Sequence, residues 1–150
     1  MTGKIIGIII ACLIAALVLS GCGTKQTETE PTEITTDKKV TFINGVTEAD
    51  VWILPETEDN LKTTLWGKAT AAKMKNGESR DIPLCEPGDG GKYLLRMIDT
   101  EQLYYSAGGI LLEDGWSIEI KGEDMNQITL DIKDKKGEIK NTYEVFCASL

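Results

Sequence analysis

Three observations predict an all-β fold, a small antiparallel β-sandwich of about eight strands, for residues 40–150 of this 150-residue chain. Short segments of β-type composition recur at spacings of roughly 8–12 residues, separated by Gly, Asn and Asp turn signals. The later segments alternate apolar and polar residues, which is typical of strands with one dry face and one wet face. No segment beyond residue 40 sustains the 3.6-residue apolar period of a helix, and this argues against a helical bundle.

The first predicted strands lie on either side of one polar turn. Val40–Asn44 alternates around Phe42, and Ala49–Leu54 is apolar on both faces and ends before Pro55. The polar and then apolar segment that follows predicts a short helical turn around Leu61–Leu65.

The next pair of segments carries the strongest hairpin signal of the chain. Ala69–Lys75 and Ser79–Leu84 flank Asn76-Gly77. This dipeptide favours the type I′ turn that matches the twist of two antiparallel strands. The sequence therefore predicts a β-hairpin here.

The rest of the domain is predicted to be strands joined by short turns. The predicted strands are Lys92–Ile98, Leu103–Ser106, Ile110–Leu112, Trp116–Lys121, Ile128–Lys133 and Glu138–Cys147. Gly108-Gly109 interrupts one of these segments, and Asp114-Gly115 is another type I′ turn candidate. Trp116 shares a face with Ile118 and Ile120 and is expected in the core.

An apolar run near the N-terminus carries the most specific motif of the chain. Lys4 precedes Ile5–Leu19, an apolar stretch of 15 residues, and Leu19-Ser20-Gly21-Cys22 follows. A secretory signal has an apolar region of about 7–15 residues, whereas a membrane-spanning helix needs about 20. These features favour an export signal, with an uncleaved N-terminal anchor or ordinary secretion as the alternatives.

The motif resembles the lipobox of bacterial lipoproteins. The resemblance implies that residues 1–21 are a signal peptide and that Cys22 is lipidated and becomes the first residue of the mature protein. It also implies that acyl chains hold the protein on the extracytoplasmic face of the cell membrane, which is then its first partner. Two or more chains give stable anchoring, whereas one binds only marginally.

Residues 22–39 are expected to be the lipidated cysteine and a disordered stalk. The stretch from Gly23 to Lys39 has six threonines, four acidic residues, three lysines and Pro31, with Ile34 as its one large apolar residue. Such a composition cannot bury a core.

Composition excludes several kinds of function. The chain has no histidine, which removes imidazole-based acid–base catalysis and the HExxH zinc site. Its 24 acidic residues against 16 basic ones give a net charge of −8, which makes it a poor electrostatic binder of nucleic acid. We therefore expect no enzyme activity, no cofactor, no metal site and no nucleic-acid partner.

Two cysteines remain once Cys12 and Cys22 are assigned to the N-terminal segment. Cys85 and Cys147 form no CxxC motif, and outside the membrane an even pair could form a disulfide. A bridge closing this long loop is worth roughly 4 kcal/mol in the chain-entropy account. Two free thiols are the alternative.

Two loops have polar or glycine-rich sequences that could hold a ligand. Glu56–Asn60 is rich in oxygen ligands, but its spacing matches no EF-hand. Glu86–Gly91 is glycine-rich but lacks the ending of a P-loop. Solvated connections are the expectation for both.

The candidate ligand contacts are aromatic. Trp66 precedes Gly67 at the edge of an element and is the tryptophan best placed to be exposed, with a place in the core as the alternative. Of the adjacent Tyr104 and Tyr105, one must face outward in a strand. Exposed aromatic rings are common anchors for partners. The sequence thus favours a non-catalytic binding or interaction module for an envelope protein, a glycan or a small ligand, with a structural subunit of a cell-envelope complex as the alternative.

Overall fold

The structure, a computed structural model, describes residues 36–64, 66–122 and 127–150. The predicted signal peptide, Cys22 and the stalk up to residue 35 lie outside these residues. The described elements are β1 (Lys39–Gly45), β2 (Ala49–Pro55), α1 (Glu58–Lys62), β3 (Ala71–Met74), β4 (Ser79–Pro83), a 3-10 turn (Asp89–Gly91), β5 (Lys92–Asp99), β6 (Leu103–Leu111), β7 (Ser117–Lys121), β8 (Thr129–Lys133), β9 (Ile139–Glu144) and β10 (Phe146–Ser149). No helix within the described ranges is long and apolar enough to cross a membrane.

The strands form two five-stranded sheets in a sandwich-like arrangement, which confirms the all-β prediction. Sheet I has the order β4-β1-β7-β8-β9, and sheet II has the order β10-β6-β5-β2-β3. Every pairing is antiparallel except that of β1 with β7, in which Thr41 lies opposite Ser117 and Gly45 opposite Lys121. The expectation of a wholly antiparallel sandwich is wrong at that pair.

The core lies between the two sheets. Phe42, Ile118 and Leu130 of sheet I and Leu95 and Met97 of sheet II are almost completely buried in one apolar cluster. Because side chains alternate along a strand, the inward residues of sheet I are those that the sequence pattern assigned to the dry face.

The hairpin predicted around Asn76-Gly77 is wrong, although the turn itself forms. The N–H of Glu78 donates to the carbonyl of Lys75 at 3.0 Å, and Gly77 has a φ of +77°. The flanking strands belong to different sheets, β3 pairing with β2 and β4 with β1. Met74 and Ile82 are each fully buried in the core from opposite sheets, so the turn carries the chain across the sandwich.

The predicted interruption at Gly108-Gly109 is a bulge within one continuous strand, β6. Tyr93 lies opposite Ile110 and Leu95 opposite Ala107, so β6 carries one extra residue. Gly109 has a φ of +69°, the left-handed conformation that glycine adopts in such bulges.

The predicted last strand is two strands that divide at Val145. This buried residue donates its N–H to the carbonyl of Ile128 at 3.0 Å. β9 before it pairs with β8 in sheet I, and β10 after it pairs with β6 in sheet II. The Asp114-Gly115 turn likewise leads from sheet II to sheet I.

The domain begins slightly earlier than predicted. Lys39 is the first residue of β1, and the carbonyl of Lys38 accepts a hydrogen bond of 2.8 Å from the N–H of Leu84. The Thr36 hydroxyl also donates to the carbonyl of Leu84. Residues 36–39, expected in the disordered stalk, are therefore attached to the end of β4.

Candidate functional site

Two rows of side chains cross the outer face of sheet II. Directly opposed residues of antiparallel strands point to the same face. The first row contains Trp52, Arg96, Ser106 and Phe146, and the second contains Asp50, Ile98, Tyr104 and Ala148. The face opposite the core thus carries aromatic and apolar side chains instead of a purely polar surface.

Trp66 packs over these rows from the loop between α1 and β3. Its ring stacks on Tyr104 with centroids 5.7 Å apart and planes 19° apart. Trp52 meets Trp66 edge to face at 5.4 Å. We call the set Trp52, Trp66, Arg96 and Tyr104 the aromatic surface.

Arg96 supplies the charge within the aromatic surface. Its guanidinium lies 6.0 Å from the centroid of the Tyr104 ring, within the range of a cation–π contact. It also donates to the Ser106 hydroxyl and, at 3.2 Å, to the carbonyl of Leu95. Since Arg96 is 6% exposed, these contacts hold the guanidinium in a fixed position next to the Tyr104 ring.

The segment that contains α1 and Trp66, called the Trp66 loop below, is held to sheet II by hydrogen bonds near both of its ends. Thr57 caps α1 by accepting from the N–H of Asn60 at 3.2 Å, and the Glu56 carboxylate accepts from the N–H of Gly109. At the other end, the Trp52 indole donates to the carbonyl of Gly67 at 3.3 Å, and the Trp66 indole donates to that of Thr63 at 2.9 Å.

The two segments considered above as ligand loops, Glu56–Asn60 and Glu86–Gly91, help to position the Trp66 loop. The cap at Thr57 explains why the helix begins at Glu58, three residues before the turn predicted around Leu61–Leu65, whose last residue lies outside the described residues. In the Glu86–Gly91 loop, the N–H of Asp89 donates to the carbonyl of Glu56 at 3.0 Å. A Cβ at Gly88 would overlap that same carbonyl, so glycine is required for the close approach. No group of three or more acidic or cysteine side chains within the described ranges is arranged to hold a metal ion.

Tyr105, named from the sequence as a contact residue, is not at the surface. It is 3% exposed, and its hydroxyl donates to the carboxylate of Asp99 at 2.8 Å. Burial and this hydrogen bond raise the pKa of Tyr105. Of the adjacent pair, Tyr104 is the one on the outer face, so the expectation that one would face outward is confirmed.

Asp99, the last residue of β5 and the partner of Tyr105, is the centre of a buried polar cluster. Its carboxylate also accepts hydrogen bonds from the Thr47 hydroxyl at 2.7 Å and from the N–H groups of Leu103 and Glu101 at 2.8 and 2.9 Å. Burial acts to raise the pKa of Asp99, but these hydrogen bonds outweigh it and leave the pKa below its ordinary value. The cluster fixes the turn between β5 and β6.

Cys85 and Cys147 are both free and half-buried in the structure, instead of joined as the sequence allowed. The carbonyl of Cys85 accepts from the hydroxyl of Tyr93 at 2.9 Å. Burial raises the pKa of both thiols, which lowers the reactive thiolate fraction.

A concave region lies at the ends of β7 and β9, away from the aromatic surface. This open cleft of about 520 Å³ is lined by Glu113, Asp114, Trp116, Asp134, Lys135, Lys136 and Lys140. Trp116, expected in the core, is half-buried and packs against the core cluster. Lys140 pairs with Asp134 at 3.0 Å and Lys135 with Asp114 at 3.6 Å across this cleft.

No protein-family model matches the chain, and comparisons with curated proteins and with solved structures give no match. The arrangement of side chains is therefore the basis for functional inference. The structure brings Trp66 and Tyr104 together and moves Tyr105 into the core. The sequence analysis did not associate Arg96 with the site. A charged residue between Leu95 and Met97, in an otherwise apolar strand segment, could have indicated a special role.

Proposed function

We propose that this protein is a membrane-anchored extracytoplasmic lipoprotein whose β-sandwich is a non-catalytic binding module, with the aromatic surface as its contact site. The observation that carries this proposal is the stack of Trp66 on Tyr104 next to Arg96, on the face of sheet II away from the core. Trp, Tyr and Arg are the residue types most enriched among binding hot spots. Trp66 and Tyr104 are half-buried and rest against the buried Trp52 and Arg96, and side chains held in this way lose little conformational entropy when a partner docks.

The anchor is inferred from the sequence motif that ends at Cys22. The net charge of −8 also suits a protein that stays clear of anionic lipid headgroups and is attached through its acyl chains alone. The absence of histidine supports a non-catalytic role. The expected partners are an envelope protein, a glycan or a small ligand.

Site-specific photo-cross-linking in cells tests the contact site. A photoreactive phenylalanine analogue replaces Tyr104 in the full-length chain, and in a second strain it replaces Tyr143, a half-buried aromatic residue of sheet I. The proposal expects a discrete cross-linked species from position 104 that is absent from position 143. Equal labelling from both positions, or none from position 104, would contradict it.

A structural or assembly subunit of a cell-envelope complex is the second candidate. The observation in its favour is β10, an end strand of sheet II with Phe146 63% exposed, because an unpaired strand edge is a ready site for pairing with another chain. Purification from the membrane after in-cell cross-linking tests it, with Cys22→Ser beside the native chain. An assembly subunit should be recovered with its partners in a fixed ratio that the Cys22→Ser variant loses.

A further inference from the structure

The free edge of β10 presents unpaired backbone groups in a definite pattern. Among the described residues β10 pairs with β6 alone, at one end of sheet II. The N–H of Leu150 donates to the carbonyl of Gln102 at 3.1 Å, so by the alternation of an antiparallel ladder Ala148 and Phe146 also bond to β6. The backbone N–H and carbonyl groups of Cys147 and Ser149 therefore point away from the sheet.

β10 differs from the other three end strands of the two sheets, each of which carries a feature that discourages further pairing. Charges, prolines and irregular backbone are common protections of sheet edges. The features are Arg80, Asp81 and Pro83 in β4, Lys140 and Glu144 in β9, and Lys73 in β3, where the backbone has a φ of 51° and the register shifts. By contrast, β10 has the sequence Phe-Cys-Ala-Ser, which contains neither a charged residue nor a proline, and its register with β6 is regular.

The exposed side chains of this edge are arranged symmetrically about Ala148. Phe146 is 63% exposed and Leu150 is 71% exposed, and each is two residues from Ala148 on the same face of the strand. An antiparallel copy centred on Ala148 places Phe146 opposite Leu150 twice, and it aligns the free backbone groups of Cys147 with those of Ser149. A second copy of this chain would therefore cover the exposed apolar side chains and also pair the free backbone groups.

We propose that two copies of this protein form a two-fold dimer by antiparallel pairing of β10 with β10, centred on Ala148. Sheet II then continues from one copy into the other as a ten-stranded sheet. Because the two-fold axis is perpendicular to that sheet, the aromatic surfaces of the two copies lie on the same side. The proposal does not depend on what the aromatic surface binds.

The net charge of each copy opposes this association, which gives the dimer a characteristic salt dependence. Two chains of formal charge −8 repel each other at low ionic strength, and added salt screens that repulsion. The dimer should therefore strengthen as salt is added, whereas an assembly held by ion pairs would weaken.

Disulfide trapping tests the register in the full-length chain. Ala148→Cys is introduced together with Cys85→Ala and Cys147→Ala. Directly opposed, non-hydrogen-bonded residues of antiparallel strands have Cα atoms about 4.5 Å apart, within the span of about 4.4–6.8 Å that a disulfide bridges. Mild oxidation in membranes should convert most of this variant into a covalent dimer.

The matched control is Phe146→Cys in the same background. In the proposed register its opposite residue is position 150, so it should form few dimers alone and many when mixed with a Leu150→Cys chain. Efficient trapping by Phe146→Cys alone, or none by Ala148→Cys, would overturn the proposal.

A second measurement uses the solubilised full-length protein without any new cysteine. Phe146→Glu removes an apolar contact of the exposed edge and adds to the repulsion between two negatively charged copies, so it should weaken self-association by at least about tenfold in sedimentation experiments, while thermal unfolding of the monomer changes little. A native protein that stays monomeric at every salt concentration, or an edge that cross-links only to a different protein, would overturn the dimer.

Discussion

Trp66 lies face to face with Tyr104, their ring centroids 5.7 Å apart, and so fastens the loop after α1 to the outer face of β6. The stack lies on the face of sheet II away from the core, and Trp52 contacts Trp66 edge to face at 5.4 Å. A sandwich needs no such layer for its own core. The stack therefore holds the loop to the sheet while both of its rings remain partly exposed on the outer face.

Removing one ring of this stack should cost stability as well as binding. We expect Tyr104→Ala to lower the free energy of unfolding by about 1–2 kcal/mol, because an aromatic pair contributes about 0.5–1.5 kcal/mol beyond its buried area. Tyr104→Phe keeps the ring and should stay close to the native protein. Urea unfolding measures both variants, and an equal loss in the two would show that the hydroxyl and not the stack is important.

Asp99 should make the protein sensitive to acid. Its pKa is lowered in the folded state, so its contribution to stability is fully present above the unfolded value of about 3.9 and is lost as the pH falls through the folded value. Asp99→Asn should cost about 1–3 kcal/mol at neutral pH, because it replaces a charged acceptor of four hydrogen bonds. Asp99→Asn should also reduce the loss of folding stability that the native protein shows as the pH falls through the folded pKa of Asp99.

Thermal unfolding at a series of pH values measures the Asp99 effect. The matched control is Asp89→Asn, an exposed residue of the 3-10 turn, which should keep the native stability and the native acid dependence. If the two variants lose stability with acid in the same way as the native protein, the buried cluster around Asp99 is not the cause.

Gly88 should tolerate no side chain. A Cβ there would overlap backbone atoms of Glu56, which cannot move without shifting the Trp66 loop. We expect Gly88→Ala to destabilise the fold by about 3 kcal/mol and to weaken binding at the aromatic surface. Gly91→Ala is the control, because the space around it is open and only its φ of +76° opposes a side chain. It should cost about 1 kcal/mol, and equal losses in calorimetry would contradict the steric argument.

The fold class was predictable because alternation is a local property of the sequence. Ile118 and Ile120, and likewise Leu130 and Ile132, face the core as their spacing of two residues predicts. The division of strands between the sheets was not predictable, because a turn such as Asn76-Gly77 reverses the chain whichever sheet receives the next strand.

The candidate site was predictable in part for the same reason. Trp66 and Tyr104 could be selected as residue types that anchor partners, but nothing local distinguishes Tyr104 from Tyr105. The register of β5 with β6 places Tyr104 on the outer face opposite Ile98 and Tyr105 on the inner face opposite Met97. The contribution of Arg96 depends on that same long-range register.

Lipidation at Cys22 can be tested apart from everything the sandwich does. The resemblance of Leu19-Ser20-Gly21-Cys22 to a lipobox predicts that the native chain partitions into detergent and carries the mass of its acyl groups. Cys22→Ser should abolish that mass and block maturation. Cys12→Ser is the control, because Cys12 lies in the segment to be removed, and it should leave the mature protein unchanged. A Cys22→Ser chain that is indistinguishable from the native one in mass and membrane attachment would instead identify residues 5–19 as an uncleaved anchor.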